Sequence, residues 1–192
     1  MLLLRASSLS DTHAIAGALA ALAREGDIIV LSGEMGAGKT AFAQGFGRAL
    51  GVTEPITSPT FTLVHSYDCG KLTLHHADLY RLDRTAEVAD LALGELAEFH
   101  GVVLVEWGDV VDASFGDHLV VHLDADLDMD LDTELDTDLD AEPGSGLDSD
   151  ADGRSDGEFG LDERRLIELS AVGPAWAPRW NLVTAAVEEF RC

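Results

Sequence analysis

The eight residues at positions 33–40, Gly-Glu-Met-Gly-Ala-Gly-Lys-Thr, constrain the fold of this chain more than any other segment. They match the P-loop pattern GxxxxGK(S/T), in which closely spaced glycines let successive backbone N–H groups turn toward one anion. The apolar run at 28–31 is typical of a strand buried on both faces of a parallel sheet, and residues 40–50 have a helical pattern that ends at Gly51. The order of strand, loop and helix therefore predicts an α/β fold with a phosphate-binding loop at 33–40, called the glycine loop below.

The residue types of the glycine loop favour a nucleoside triphosphate with magnesium. Lys39 adds a cation for the outer phosphates, which makes it a candidate catalytic residue, and Thr40 offers its hydroxyl oxygen to Mg²⁺. The following helix directs the positive end of its dipole at the same anion. The chain carries no NKxD motif of the kind that reads guanine, so ATP is favoured over GTP. The predicted nucleotide-binding residues of the loop are Gly33, Glu34, Met35, Gly36, Ala37, Gly38, Lys39 and Thr40.

Two acidic residues that follow predicted strands are candidates for the carboxylate that such a site needs, either to hold magnesium or to orient the attacking water. Glu106 ends the run Val-Val-Leu-Val-Glu-Trp, and Asp78 lies just past the strand Leu-Thr-Leu-His-His-Ala-Asp. For each of them the alternative is a solvated loop residue. The sequence leaves open which of the two is the catalytic base.

The rest of the hydrophobic pattern predicts a mainly parallel sheet flanked by helices, with one β-hairpin. An N-terminal strand precedes a helix over 10–24, and the apolar runs 61–67 and 72–76 are separated by four residues, as in a hairpin. A helical stretch at 85–99 and a buried strand at 102–105 follow. Two further strands at 120–123 and 166–169 and a terminal helix at 181–190 complete the pattern.

An acidic low-complexity tract separates the last two predicted strands. Residues 124–160 contain 15 acidic residues and one arginine, a net charge of −14 out of −24, which leaves −10 for the remainder. Because such self-repulsion opposes packing, we expect residues 124–162 to be a disordered insertion, and residues 1–123 with 163–192 to form one domain. The acidity of that domain also argues against a broad nucleic-acid-binding surface.

Two further features concern metal ions and the cell compartment. Residues 148–159 begin like an EF-hand calcium loop, but position 12 of that loop is Phe159 instead of the bidentate glutamate, so a specific calcium site is not expected. The two cysteines, Cys69 and Cys192, suggest no disulfide framework, and no uncharged apolar run of 18 residues is present. A soluble cytoplasmic protein is the expectation.

Four blocks in order carry a resemblance to a known family: Gly-Glu-Met-Gly-Ala-Gly-Lys-Thr, Ser-Pro-Thr-Phe-Thr-Leu-Val-His-Ser-Tyr at 58–67, His-Ala-Asp-Leu-Tyr-Arg-Leu at 76–82 and Leu-Val-Glu-Trp-Gly-Asp at 104–109. They resemble TsaE, the ATPase of bacterial threonylcarbamoyladenosine synthesis. The resemblance implies a compact P-loop domain that binds ATP with Mg²⁺. It also implies that hydrolysis resets a complex of two partner proteins between rounds of tRNA modification, while the transfer chemistry is theirs.

The same resemblance assigns roles to individual positions. It places residues 36–41, including Ala41, around the phosphates, and it places Thr12 of the first helix near the nucleotide. It also assigns Thr40 and Glu106 to magnesium, Asp78 to a functionally required acid and Thr60 to a nucleotide-sensing switch loop. A plain Ser-Pro turn is the alternative for that loop.

Two other functions use the same sequence features. A P-loop small-molecule kinase needs a substrate lid and usually arginines that close over the phosphoryl group, whereas this chain has 12 Lys and Arg in total and no arginine-rich lid segment. In an acidic interaction protein, the tract at 124–160 would be the working part and nucleotide only a structural ligand. These two functions are less well supported than an ATPase that acts on partner proteins.

Overall fold

The computed structural model describes residues 1–82, 85–108, 115–126 and 164–192. These residues form one α/β domain. Its strands are β1 (Leu2–Ala6), β2 (Ile28–Ser32), β3 (Val64–Asp68), β4 (Thr73–Asp78), β5 (Gly101–Glu106), β6 (His118–Ala125) and β7 (Arg165–Val172). Its helices are α1 (Leu9–Ala20), α2 (Lys39–Leu50), α3 (Thr85–Ala89), α4 (Leu93–Glu98) and α5 (Trp180–Ala186), with 3₁₀ turns at Ala177–Arg179 and Glu188–Phe190.

The strands form a single sheet in the order β1-β7-β6-β2-β5-β4-β3. The four central strands, β6, β2, β5 and β4, are parallel, while β7, β1 and β3 are added antiparallel at the two edges. The predicted α/β fold with a parallel centre and a β3–β4 hairpin is confirmed. Because β2 lies between β5 and β6, the glycine loop that follows it is flanked by both neighbouring strands.

Side chains of β2 alternate between the two faces of the sheet, and different helices cover the two faces. Ile29 and Leu31 belong to a core that includes Phe42 and Phe46 of α2, whereas Ile28 and Val30 belong to a second core under α3 and α4. Side chains at every second position of a strand share one face, so these two cores lie on opposite sides of the sheet. The continuous apolar run at 28–31 is thereby explained.

The structure corrects the predicted limits of the first helix and of the helix at 85–99. The first helix begins after Ser8, whose hydroxyl accepts the N–H of Asp11, and it ends at Ala20, whereas the sequence predicted a helix over 10–24. The helix predicted at 85–99 is divided into α3 and α4, because Ala92 has a left-handed φ of 48° that no α-helix tolerates.

The predicted start of the acidic insertion at residue 124 is also wrong, because β6 continues through Ala125 and pairs with Arg165 of β7. Asp126 is buried, and its carboxylate lies 2.9 Å from Nε of Arg5. The first acids of the tract therefore belong to the folded domain. Residues 127–163, with the calcium-like segment at 148–159, lie outside the described part of the chain.

A buried ion pair fixes the C-terminal segment to the rest of the domain. Both nitrogens of the Arg179 fork lie 2.6 Å from the two carboxylate oxygens of Asp27, and the guanidinium packs over the ring of Trp176 at 3.9 Å. The helix predicted at 181–190 is shorter than expected, because α5 ends at Ala186 and a 3₁₀ turn follows. In the described residues, no helix combines the length and apolarity needed to cross a bilayer.

Candidate functional site

The glycine loop connects β2 to α2, and its conformation depends on its glycines. Gly33, Gly36 and Gly38 have φ values of 127°, 84° and 103°. A β-carbon at Gly33 would lie 2.1 Å from the carbonyl oxygen of Leu123 in β6, whereas one at Gly36 would meet nothing within 4 Å. Positive φ explains all three glycines, and a close backbone approach makes Gly33 the most restrictive of them.

A cavity of about 400 Å³ opens beside the glycine loop, at the carboxyl ends of the parallel strands. This is the position where α/β sheets place their ligands. It is lined by Met35, Gly36, Gly38, Lys39, Thr40, Ala41, Ser58, Thr60, Asp78, Tyr80, Glu106 and Trp107. The fold thus brings most of the predicted site residues together in one place.

Four predicted residues lie beside this cavity without lining it. Gly33 is half-buried, Glu34 is exposed and Ala37 is buried, and none of the three lines the cavity. Thr12, in α1, is buried and donates its hydroxyl to the carbonyl of Ser8 at 3.3 Å. Thr12 borders a separate space of about 70 Å³ that also touches Gly38 and Ala41 of the main cavity wall.

Lys39 is held at the base of the loop. Its ammonium donates to the carbonyl oxygens of Gly33 at 2.7 Å and Glu34 at 2.8 Å. The same nitrogen lies 3.7 Å from the ring centroid of Trp107, a distance typical of a cation–π contact. Trp107 has φ of 64° and donates its N–H to Leu31, so the turn after β5 places its ring against the lysine.

Glu106, the last residue of β5, is buried at the cavity wall and contacts two other side chains. Thr40 donates its hydroxyl to the carboxylate, with distances of 2.9 Å and 3.2 Å to the two oxygens. Nε2 of His76 lies 2.9 Å from Oε1. A carboxylate oxygen accepts hydrogen bonds, so Nε2 is the donor of this pair. His76 therefore orients this carboxylate.

Asp78 is the register partner of Glu106 on the neighbouring strand β4. One of its carboxylate oxygens accepts the hydroxyls of Ser58 at 2.5 Å and Thr60 at 2.8 Å, and the other accepts the N–H of Tyr80 at 2.9 Å. Thr60, the predicted switch residue, is therefore tied to Asp78 in the cavity wall. Ser58 was missed because a serine before proline has the pattern of an ordinary turn.

The oxygen atoms of this cavity fit a magnesium ion. Thr40 and Glu106 place a hydroxyl and a carboxylate in contact, both on the cavity wall. Magnesium uses one or two protein oxygens and completes its shell with water and phosphate oxygens. The two residues predicted as metal ligands are thus adjacent, and together with Lys39 they suit a phosphate-bearing ligand with its cation.

Arg165 is a further residue that the sequence did not indicate. Its Nε donates to the carbonyl of Ala37 at 2.8 Å, and one terminal nitrogen reaches the carbonyl of Gly36 at 3.4 Å. The contact joins β7 to the glycine loop across 128 positions of sequence. No local pattern could have signalled it.

Comparison with known proteins places this site in a family. A family model described as threonylcarbamoyl adenosine biosynthesis protein TsaE matches residues 6–136. The chain belongs to the TsaE family. The match includes the glycine loop, Asp78 and Glu106, so the resemblance seen in the four sequence blocks is confirmed.

Individual TsaE relatives agree with this assignment. The tRNA threonylcarbamoyladenosine biosynthesis protein TsaE of Bacillus subtilis is 45% identical over 102 residues, which are 53% of this chain and 63% of the relative. The matched segment thus spans less than two thirds of that relative. TsaE of Treponema pallidum is 40% identical over 113 residues, 59% of this chain and 83% of the relative. The crystal structure of YdiB from Bacillus subtilis superimposes with a TM-score of 0.60 at 27% identity, covering 98% of this chain and 94% of YdiB.

Proposed function

We propose that this TsaE-family protein binds ATP with Mg²⁺ in the 400 Å³ cavity and hydrolyses it in the cytoplasm to support formation of tRNA N6-threonylcarbamoyladenosine. The observation that carries the proposal is the contact between Thr40 and Glu106 at 2.9 Å, beside Lys39 and the glycine loop. A cation, a hydroxyl and a carboxylate at the end of a parallel strand are the groups that phosphoryl transfer by this loop type requires.

The glycine loop and Lys39 bind the phosphates. The N-terminus of α2 lies at the loop, so its backbone N–H groups and its dipole favour an anion there. The ammonium of Lys39, now on the carbonyls of Gly33 and Glu34, transfers to the outer phosphate oxygens when ATP enters. Trp107 keeps the lysine near the cavity through its ring.

Thr40 and Glu106 hold the magnesium ion, which neutralises charge on the phosphate oxygens when it is bound. His76 donates to Glu106 and keeps the carboxylate turned toward Thr40. Because Glu106 holds the magnesium ion, Asp78 is the residue that orients the attacking water. An ionised carboxylate offers about four lone-pair positions, and the described contacts of Asp78 use three of them.

Hydrolysis acts on two partner proteins that carry out the threonylcarbamoyl transfer. The charge of −10 outside residues 124–160 opposes direct binding of tRNA over a broad surface. We therefore propose that tRNA is bound by the partner proteins, and that ATP hydrolysis by this chain resets their complex.

The test is ATP hydrolysis by the purified full chain with Mg²⁺, alone and with the two partner proteins. We expect slow turnover that rises with the partners and falls at least about 100-fold in Glu106→Gln, because the metal-holding carboxylate is lost. Glu95→Gln, an exposed acid on α4, is the matched control and keeps full activity. Turnover that is indifferent to the Glu106 change refutes the proposal. ADP formation that requires a small acceptor molecule instead identifies a kinase.

A further inference from the structure

We propose that Arg165 is a positioning residue of the nucleotide site, which holds the Ala37–Gly38 peptide unit of the glycine loop in its phosphate-binding orientation. This inference rests on the proposed nucleotide binding. It concerns a residue on β7, far in sequence from the motif that defines the loop. It is carried by the fork of hydrogen bonds from Arg165 to the carbonyls of Ala37 and Gly36.

Because the peptide unit is planar, a hydrogen bond that fixes a carbonyl group also fixes the direction of the N–H of the next residue. In a trans peptide unit the C=O and the N–H point in opposite directions. With the Ala37 carbonyl held by Nε of Arg165 at 2.8 Å, the N–H of Gly38 points away from the arginine. Gly38 lines the 400 Å³ cavity and is the N-cap of α2. The N–H of Ala37 donates instead to Glu34 within the loop, so the Gly38 unit is the one that Arg165 controls.

Two cationic side chains bind carbonyl oxygens of the glycine loop. Lys39 binds the carbonyls of Gly33 and Glu34, and Arg165 binds those of Gly36 and Ala37. Carbonyl oxygens that turned toward the cavity would repel phosphate. Lys39 has a second task on the phosphates, whereas Arg165 does not line the 400 Å³ cavity and borders the separate space of about 70 Å³ beside Gly38 and Ala41.

Arg165 is itself rigidly placed. It pairs with Ala6 of β1 and Ala125 of β6 as the first residue of β7, and one terminal nitrogen donates to the carbonyl of Arg164 at 2.8 Å. The planar guanidinium presents several donors in a fixed geometry, which a lysine ammonium cannot reproduce. A β-carbon at Gly38 would lie 3.3 Å from Nε, so the guanidinium packs directly against this glycine.

The experiment measures ADP binding by calorimetry, with Mg²⁺, for the full-length chain and three variants. Arg165→Met keeps the aliphatic stem, and we expect it to weaken ADP binding about tenfold, or about 1.4 kcal/mol. Arg165→Lys keeps the charge without the fork, and we expect an intermediate loss of at least about threefold. The matched control is Arg164→Met, which removes the same charge one position away. Within the described residues, Arg164 makes no side-chain hydrogen bond to the glycine loop, so its variant should bind ADP within about twofold of wild type.

Two further measurements distinguish a positioning role from a loss of stability. They are urea unfolding and steady-state kinetics of the same variants. A positioning role raises KM for ATP and the dissociation constant of ADP while the variant stays folded under the assay conditions. Wild-type affinity in Arg165→Met, or an equal loss in Arg164→Met, overturns the inference. If Arg165→Met does not fold, wild-type affinity in Arg165→Lys overturns it. Absence of ADP binding by the wild-type chain refutes the proposed function itself, which is a different result.

Discussion

Replacing Gly33 by alanine should destabilise the domain much more than the same change at Gly36, although both glycines lie in one loop at positive φ. At Gly36 the new β-carbon meets nothing within 4 Å, so the cost is that of a left-handed alanine, about 1–2 kcal/mol. At Gly33 the φ of 127° is less accessible still, and the β-carbon would lie 2.1 Å from the Leu123 carbonyl oxygen. That separation is more than 1 Å below an ordinary contact of about 3.5 Å, so the loop or β6 must shift, and overpacking adds about 1–3 kcal/mol.

Equilibrium unfolding in urea without nucleotide is the appropriate assay, because ligand binding to the folded state would otherwise add to the measured free energy. We expect losses of about 2–5 kcal/mol for Gly33→Ala and about 1–2 kcal/mol for Gly36→Ala. Equal losses in the two variants, or a loss below about 1 kcal/mol at Gly33, would refute the argument from the Leu123 contact. Gly36→Ala serves as the control, because it makes the same chemical change in the same loop without the clash.

Three further perturbations test other parts of the structure. Arg179→Met leaves the buried carboxylate of Asp27 without the arginine, and we expect the free energy of unfolding, measured in urea, to fall by about 3–5 kcal/mol. If the unpaired charge is the cause, the double variant Arg179→Met with Asp27→Asn should lose less than Arg179→Met alone. Burial, with a contribution from the charge of Arg48, lowers the pKa of His13, so the unfolded chain binds more protons than the folded one near pH 6. Stability should therefore fall as the pH drops from 7.5 to 5.5, and His13→Gln should fall less steeply; identical slopes would contradict this assignment. Thr40→Val should abolish the Mg²⁺ dependence of ADP affinity while Thr40→Ser retains it, and a calorimetric titration in which both variants respond to Mg²⁺ like wild type would exclude Thr40 as a ligand.

The centre of the site could be predicted from the sequence because its signals are local. The glycine loop is a contiguous motif between a buried strand and a helix, and Glu106 follows a continuous apolar run. Asp78 and Glu106 end adjacent parallel strands, so a correct strand assignment is enough to bring them together. The sequence alone could not order the seven strands of the sheet.

The errors and omissions arose where tertiary contacts decide the structure. Asp126 continues the acidic alternation of the tract, so the local sequence does not distinguish it from the acids that follow. Its carboxylate nevertheless forms an ion pair with Arg5 of β1 in the folded domain. Ser58 acquires its role only because its hydroxyl reaches Asp78, 20 positions later. Arg165 is one of a pair of arginines after the tract, and only the pairing of β7 with β6 reveals which of them faces the glycine loop.

The position of β2 between β5 and β6 has a consequence for biosynthesis on the ribosome. The glycine loop is translated early, but the Leu123 carbonyl that confines Gly33 and the Arg165 side chain that binds Ala37 emerge about 90 and 128 residues later. Domains complete such long-range pairings only after the distant segment has been synthesised, and pairings of this kind slow folding. The nascent chain therefore displays the glycine loop for most of its synthesis before β6 and β7 can fix the conformation of that loop, and during that interval the proposed ligand cannot stabilise it.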